Sequence, residues 1–310
     1  MCGACCRNDW LVTVDEEAYG RNYRLFHQAG NIHEFTEAFV PLGSKAGLGE
    51  YAYIAKQADG ACWFLEKDNR CRLHRQAGHN HLDSVCRTFP RYPMNTSRGL
   101  ELTLSFSCPS VLEAASQDKQ LSVVRADKLP LAVDEDSCVL QVFPRQKPGS
   151  SALRYYFELE QHFIDIMQFQ PLPLTERVEM ICQTACFLEK TPEGSQICQH
   201  LEQVFTRNYA LMDNHAESAA VSVRQHSKAD ALLENFIVNL IFKKTFYLHG
   251  LTGAAALLRR VWQEAAAPKS FSQDEEQRYR FTANVVAEIE FKYGHDRRAF
   301  WASGTMRGSQ

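Results

Sequence analysis

The sequence predicts an α-rich α+β protein: a cysteine-rich, metal-binding segment with a few short strands, followed by an all-α helical domain. Three observations carry this expectation. Seven of the 11 cysteines fall within the first 108 of 310 residues. Period-two alternation of apolar residues is confined to that same part of the chain, whereas from Arg154 onward they recur at three- and four-residue steps. With 45% hydrophobic and 23% charged residues the chain is globular rather than disordered, and no apolar run approaches the roughly 18 residues of a membrane helix.

Residues 1–126 form the cysteine-rich domain. Trp10 to Val14 predicts a strand, and Asp15 an N-cap for a helix from Glu16 to Phe26, with acidic residues in the first turn where the helix dipole favours them. Gly43, Gly47 and Gly49 mark a loop. Tyr51 to Lys56 and Leu100 to Phe106 alternate as half-buried strands do. Residues 127–150, with Pro130, Pro144 and Pro148, form a variable connection. Residues 151–310 then carry helices at Arg154 to Phe169, Leu174 to Leu188, Ser195 to Thr206, Ala229 to Tyr247, Ala254 to Ala266 and Gln273 to Lys292. Ser303 to Gln310 is a frayed tail.

The net charge of −3 gives no global reason to bind nucleic acid or anionic lipid. Met1 to Arg7 shows no secretory pattern, so the expected compartment is the cytoplasm. Disulfides do not persist there, and a dense set of cysteines then points to metal or redox chemistry. Cys2, Cys5 and Cys6 present up to three soft ligands from one loop. Cys62, Cys71 and Cys86 follow, and Cys108, ahead of Pro109, closes the set of seven candidate metal ligands. Such thiolates suit Zn(II) or an iron-sulfur cluster, each taking four. Cys138, Cys182, Cys186 and Cys198 are expected as small packing residues of the core.

Around Cys86 the charge is one-sided. Arg70, Arg72, Arg75, Arg87, Arg91 and Arg98 face a single acidic residue, Asp83, an excess of five positive charges, with His74, His79 and His81 among them. Arg87 and Arg91 are the candidate cofactor-binding residues: they would offset thiolate charge and attract a carboxylate or phosphate. The competing reading is a solvated basic face. There is no Gly-x-Gly-x-x-Gly, Walker loop, Gly-x-Ser-x-Gly, His-Glu-x-x-His or Cys-x3-Cys-x2-Cys, so no standard nucleotide fold or radical loop is indicated.

Four motifs in order carry a resemblance. They are Cys5-Cys6-Arg-Asn-Asp-Trp-Leu-Val-Thr-Val-Asp15, Cys62-Trp-Phe-Leu through Cys71-Arg-Leu, Leu82-x3-Cys86-Arg-Thr-Phe-Pro-Arg91, and Leu102-Thr-Leu-Ser-Phe-Ser-Cys108-Pro. Together they resemble the flagellin lysine-N-methylases, within the broader zinc- or iron-chelating cysteine-cluster proteins. Leu233-Glu-Asn-Phe-Ile-Val-Asn in the helical half is similar to a helix of that family, so the resemblance extends over most of the chain. Family members carry a further upstream cysteine, and the expected intact set would be eight, enough for two four-thiolate centres or for one with spares.

The resemblance implies an enzyme, a protein-lysine N-methyltransferase moving a methyl group from S-adenosylmethionine to lysines of flagellin. It also implies a four-iron, four-sulfur cluster rather than zinc on Cys2, Cys5, Cys6, Cys62, Cys71, Cys86 and Cys108. Flagellin and S-adenosylmethionine are the implied partners; no nucleic acid or membrane is. In a direct displacement the lysine amine, with an ordinary pKa of about 10.4, must first lose its proton. A desolvating channel could be lined by Tyr155, Tyr156, Phe157 and Phe163 or by Phe236, Phe242, Phe246 and Tyr247, although aromatics at helical spacing are more often core. No general base is assigned. The alternatives are a non-catalytic zinc- or iron-binding protein and a redox-sensing adaptor.

Overall fold

A computed structural model describes residues 2–46, 49–96, 98–127, 139–143, 152–191, 196–219, 227–247, 249–266 and 274–295. Gly47, Cys138, the three connecting prolines and the expected C-terminal tail lie outside them. The protein is an α-rich α+β chain, with twelve α-helices and two three-stranded sheets among the described residues. It divides into two compact units, Met1–Tyr92 with Asp127–Cys138, and Pro93–Ala126 with Val139–Gln310.

The first unit begins with α1 (Ala4–Arg7), β1 (Thr13–Val14) and α2 (Glu16–Gln28). Asp15 caps α2 as expected, its Oδ1 accepting from the Ala18 N–H at 2.6 Å. The helix buries Ala18, Asn22 and Phe26 at four-residue steps and ends where Gly30 takes a φ of 72°, which an L side chain resists. Asn22 is a polar residue in that buried stripe, and its Nδ2 is satisfied by the carbonyls of Ala18 and His81. Next come α3 (Ile32–Ala38) and β2 (Phe39–Pro41), which the sequence pattern did not show, and β3 (Ala52–Ile54). β3 lies between β1 and β2, antiparallel to both, with Thr13 opposite Tyr53 and Phe39 opposite Ile54. The core is a phenylalanine cluster: Phe35 and Phe39 stack at 4.9 Å, and Phe64 lies 5.5 Å from Phe39. Two short helices, α4 (Arg72–Ala77) and α5 (Ser84–Thr88), complete the unit.

The second unit opens within β4 (Arg91–Thr96), which lies between β5 (Gly99–Leu104) and β6 (Val139–Phe143) and runs parallel to β6. Then come α6 (Pro109–Ala115), α7 (Tyr156–Gln168), α8 (Leu174–Glu189), α9 (Ile197–Ala219), α10 (Lys228–Phe242), α11 (Gly250–Ala266) and α12 (Glu275–Ile289), the last passing into a π-helical turn, Glu290–His295. α10 is the central element. Ala229 and every residue from Ala231 to Ile241 are buried, and the helix packs on α6, α7 and α12.

Its polar residues are all engaged. Glu234 pairs with Arg177 at 2.6 Å; Asn235 Nδ2 donates to the carbonyls of Ala115 and Lys119 while its Oδ1 accepts from the Leu121 N–H; Asn239 holds the N–H and carbonyl of Leu104. The Glu-Asn-Phe-Ile-Val-Asn stretch therefore clamps the ends of β5 and α6, and the backbone that follows α6, onto the central helix. Tyr156, Phe163, Phe236, Phe246 and Tyr247 are fully buried core residues, so these aromatics pack the bundle instead of lining an open channel. No helix among the described residues is long and apolar enough to cross a membrane.

Candidate metal centre

The first unit builds its cysteine site by docking two loops through backbone hydrogen bonds. Gly3, with a φ of 69°, turns the chain into α1, and a Cβ there would lie 3.0 Å from Asn69 Oδ1. Glycine is required on both counts. Asn69 itself has a φ of 63° and accepts from Arg7 Nη2 at 2.9 Å. The Cys62 N–H donates to the Cys6 carbonyl at 2.7 Å, and Lys56 Nζ to the Asn8 carbonyl at 2.6 Å. Isolated β-bridges join Lys56 to Cys62 and Leu65 to Cys71. Gln57 Nε2 reaches the carbonyls of Cys62, Trp63 and Leu65, at 2.8, 3.2 and 2.8 Å.

The electrostatics follow from this docking. The sulfurs of Cys5 and Cys6 are 3.9 Å apart. A hydrogen bond from Cys6 brings the Cys5 thiol down to about 7 against the cost of burial, helped by the backbone N–H groups of Cys5 and Cys6 and by the Lys56 charge. Cys62 falls to about 7 for the same first reason, with the Phe64 N–H and Lys56 adding to it. Cys6, between them, is raised because it keeps the proton both neighbours share. Burial raises Cys71 despite the N–H groups of His74 and Leu73. Cys86 is solvent-accessible as a residue, yet the protein packed around it raises its thiol well above the usual range, and Asp83, Cys62, Cys71 and Cys5 push in the same direction. Asp83, buried at the N-cap of α5, is itself raised to about 6, by desolvation first.

Five of the seven expected ligands, Cys5, Cys6, Cys62, Cys71 and Cys86, thus share one unit and feel one another's charge. Cys2 is exposed just ahead of Gly3. Cys108 belongs to the second unit, where it is buried at the N-cap of α6. Among the described residues no group of three or more His, Cys, Asp or Glu side chains is gathered at metal-ligating distance. The donor chemistry still fits a thiolate-ligated centre. All five sulfurs are soft donors, the Lys56 charge acts on two of them, and the indole N–H of Trp63, next to Cys62 in sequence, is buried with no acceptor among the described residues.

The basic run around Cys86 is largely neutralised. Arg72 pairs with Glu34, Arg75 with Glu66 at 2.5 Å and Arg70 with Asp68 at 3.7 Å. In the second unit Arg98 is held by Glu101 and Glu160 at 2.8 and 2.6 Å and stacks 3.6 Å over Phe157. Four of the six arginines are therefore structural, because carboxylates outside that stretch fold back onto them. Arg87 acts on Asp83, lowering it, and Arg91 stands on β4 with no ion pair among the described residues. Of the expected packing cysteines, Cys182 is buried, with its thiol pushed up to about 12 by desolvation, but Cys186 is only partly buried. Cys198 is exposed, its sulfur 2.7 Å from the Tyr155 hydroxyl, which corrects the core reading at that position. Lys56, Gln57 and Trp63 are parts of the site that the sequence pattern did not reveal.

Two Salmonella proteins are similar to this chain. The flagellar biosynthetic protein FliU of Salmonella muenchen is 24% identical over 146 residues, covering 47% of this chain and 83% of FliU. The lysine-N-methylase of Salmonella typhimurium is 24% identical over 139 residues, 45% of this chain. That stretch is 32% of the methylase, so the match takes in about a third of that protein's length. Similarity found in this way spans under half of the chain, less than the motif resemblance does. No family model matches the sequence, and no solved structure does.

Proposed function

We propose that the protein is a lysine N-methyltransferase acting on flagellin, with S-adenosylmethionine as methyl donor and an iron-sulfur cluster held by cysteines of the first unit. The observation that carries this reading is the set Cys5, Cys6, Cys62, Cys71 and Cys86 in one unit, with Cys6 and Cys62 docked by a backbone hydrogen bond, in a chain similar to a lysine-N-methylase and to a flagellar biosynthetic protein. Four of the five sulfurs suffice for one cluster, which supplies structural or redox chemistry when bound. The residues of the chain do the rest: backbone N–H groups and Lys56 offset thiolate charge, and Arg87 and Arg91 offer positive charge for a donor carboxylate. In a direct displacement the lysine nitrogen forms its bond to the methyl carbon as the carbon–sulfur bond breaks. The electron pair leaves on S-adenosylhomocysteine, and the lysine proton goes to a base.

The test is anaerobic purification with iron, zinc and sulfide analysis, then incubation with labelled S-adenosylmethionine and flagellin and mass spectrometry of the lysines. Methylated lysine with bound iron and sulfide is the expected result. Bound metal with no methyl product would instead mark a metal-binding protein. Cys86→Ser is expected to lower both metal content and product at least tenfold; normal metal and turnover would remove Cys86 from the site.

A further inference from the structure

Lys56 stands where the two cysteine-bearing loops join. Its backbone bridges to Cys62, whose N–H is bonded to Cys6, and its Nζ donates to the Asn8 carbonyl at 2.6 Å, two residues beyond Cys6. One side chain thus ties the segment bearing α1, with Cys5 and Cys6, to the isolated bridge that holds Cys62. The lysine is half-buried and has no carboxylate partner among the described residues. A partly desolvated ammonium whose acceptor among the described residues is one carbonyl is costly unless negative charge lies nearby, and the cysteines of the segments it joins, Cys6 and Cys62, would supply that charge on ligating a metal as thiolates. A lysine is suited to this place, because its ammonium is a compact point charge on a stem long enough to cross from one loop to the other.

We propose that Lys56 is the positioning residue of the cysteine centre, pinning the Cys5–Cys6 loop against Cys62 through the Asn8 carbonyl and acting as the fixed counter-charge of a multi-thiolate metal site. The inference deepens the metal-centre reading and rests on it for the counter-charge, while the pin stands on the geometry of the metal-free chain. A lysine that merely capped a carbonyl would need its donor and not its charge, and that difference can be measured.

The full chain and its Lys56→Met, Lys56→Gln and Lys56→Arg variants are compared by two measurements. One is hydrogen exchange of the amides of residues 4–8 and 62 in metal-free protein; the other is zinc(II) affinity in competition with a chromophoric chelator. Loss of the pin in Lys56→Met is expected to speed exchange of those amides while leaving the second unit's amides unchanged. Zinc affinity is expected to fall by about 10- to 100-fold, the usual effect of removing a group that supports metal ligands. Lys56→Arg restores the affinity to within a few-fold, and Lys56→Gln, a donor without charge, does not. Unchanged exchange and affinity in Lys56→Met would overturn the proposal, and equal affinity of the Gln and Arg variants would overturn the counter-charge. If the wild-type chain binds neither zinc nor iron, the metal-centre reading and the counter-charge fail together, and the exchange data alone decide the pin.

Discussion

The two units handle buried polarity in opposite ways. In the second, buried carboxylates and buried cations close each other off in pairs of complementary charge. Arg177 meets Glu234, and Lys243 meets Glu290, with both members of each pair almost wholly inaccessible. In the first, the buried or crowded ionisable groups are mostly acids: a row of thiols and Asp83, with Lys56 as a cation whose charge acts on both Cys5 and Cys62. A helical bundle completes its own electrostatics because long side chains on facing helices reach each other. The cysteine unit, with helices α1, α4 and α5 of only four to six residues, has an unbalanced set that a bound cation would complete.

The sharpest way to break this contrast is to unbalance the bundle. Arg177 Nη1 donates to Glu234 and to the Met167 carbonyl, and Gln120 also reaches Glu234, at 3.2 Å. Arg177→Met leaves the Glu234 carboxylate buried without its cation, and the expected cost is about 3–5 kcal/mol. Denaturant unfolding should show the loss, while hydrogen exchange in residues 4–88 stays as in the wild type. Adding Glu234→Gln should recover most of it, since the uncompensated charge is then gone. A loss below about 1 kcal/mol would mean that the pair is not what closes the bundle.

Next in size is a pH response of opposite sign in the two units. His162 stacks 3.8 Å from Phe205, bonds to Asn208 at 3.0 Å and has its Nδ1 buried with no partner among the described residues. Burial lowers its pKa from 6.5 to about 4, only weakly opposed by Asp165. The unfolded chain then binds this proton more readily than the folded one. The second unit keeps full stability above pH 6.5 and loses it as pH falls toward 4, by about 3 kcal/mol in all. Asp83 is raised from 3.8 to about 6, so the first unit is most favoured below pH 3.8 and loses a similar amount, about 3 kcal/mol, as pH rises through 6. Segment-resolved exchange between pH 4 and 7, corrected for intrinsic rates, should show protection rising with pH in α7–α9 and falling around α5. His162→Gln should flatten the first trend and Asp83→Asn the second. Parallel trends in both units would refute the contrast.

Where the sequence was legible, regular spacing made it so. Asp15 announced α2, and the three- and four-residue steps announced α7 to α12, although α9 runs on to Ala219 and α10 stops at Phe242, short of the expected Tyr247. There Lys243 turns extended, with a ψ of 123°, and meets Glu290, a partner 47 residues away that no local pattern encodes. α4, α5 and α6 are too short for a period to register. The cysteines were visible by type and clustering, but Lys56 looked like the polar end of a strand. Its role comes from a bond to the backbone of Asn8, and backbone partners leave no trace in residue identity.

The smallest expected effect is one in which the two units should agree. Asp15 caps α2 by accepting from the Ala18 N–H, and Ser227 caps α10 by accepting from the Asp230 N–H at 3.1 Å, while its hydroxyl bonds the Asp230 carboxylate at 2.7 Å. Each satisfies a backbone donor that the helix leaves open, and that need is independent of how the surrounding unit balances its charge. Asp15→Ala and Ser227→Ala should therefore each cost about 1 kcal/mol, measured as loss of exchange protection in the first turn of α2 and of α10. Added zinc(II) should not change the Ser227→Ala cost. For Asp15→Ala it should offset part of the loss, because metal binding is expected to reinforce the unit to which α2 belongs. Equal zinc responses of the two variants would show that metal does not stabilise the first unit selectively, and the contrast between the units would then rest on pH and the buried pairs alone.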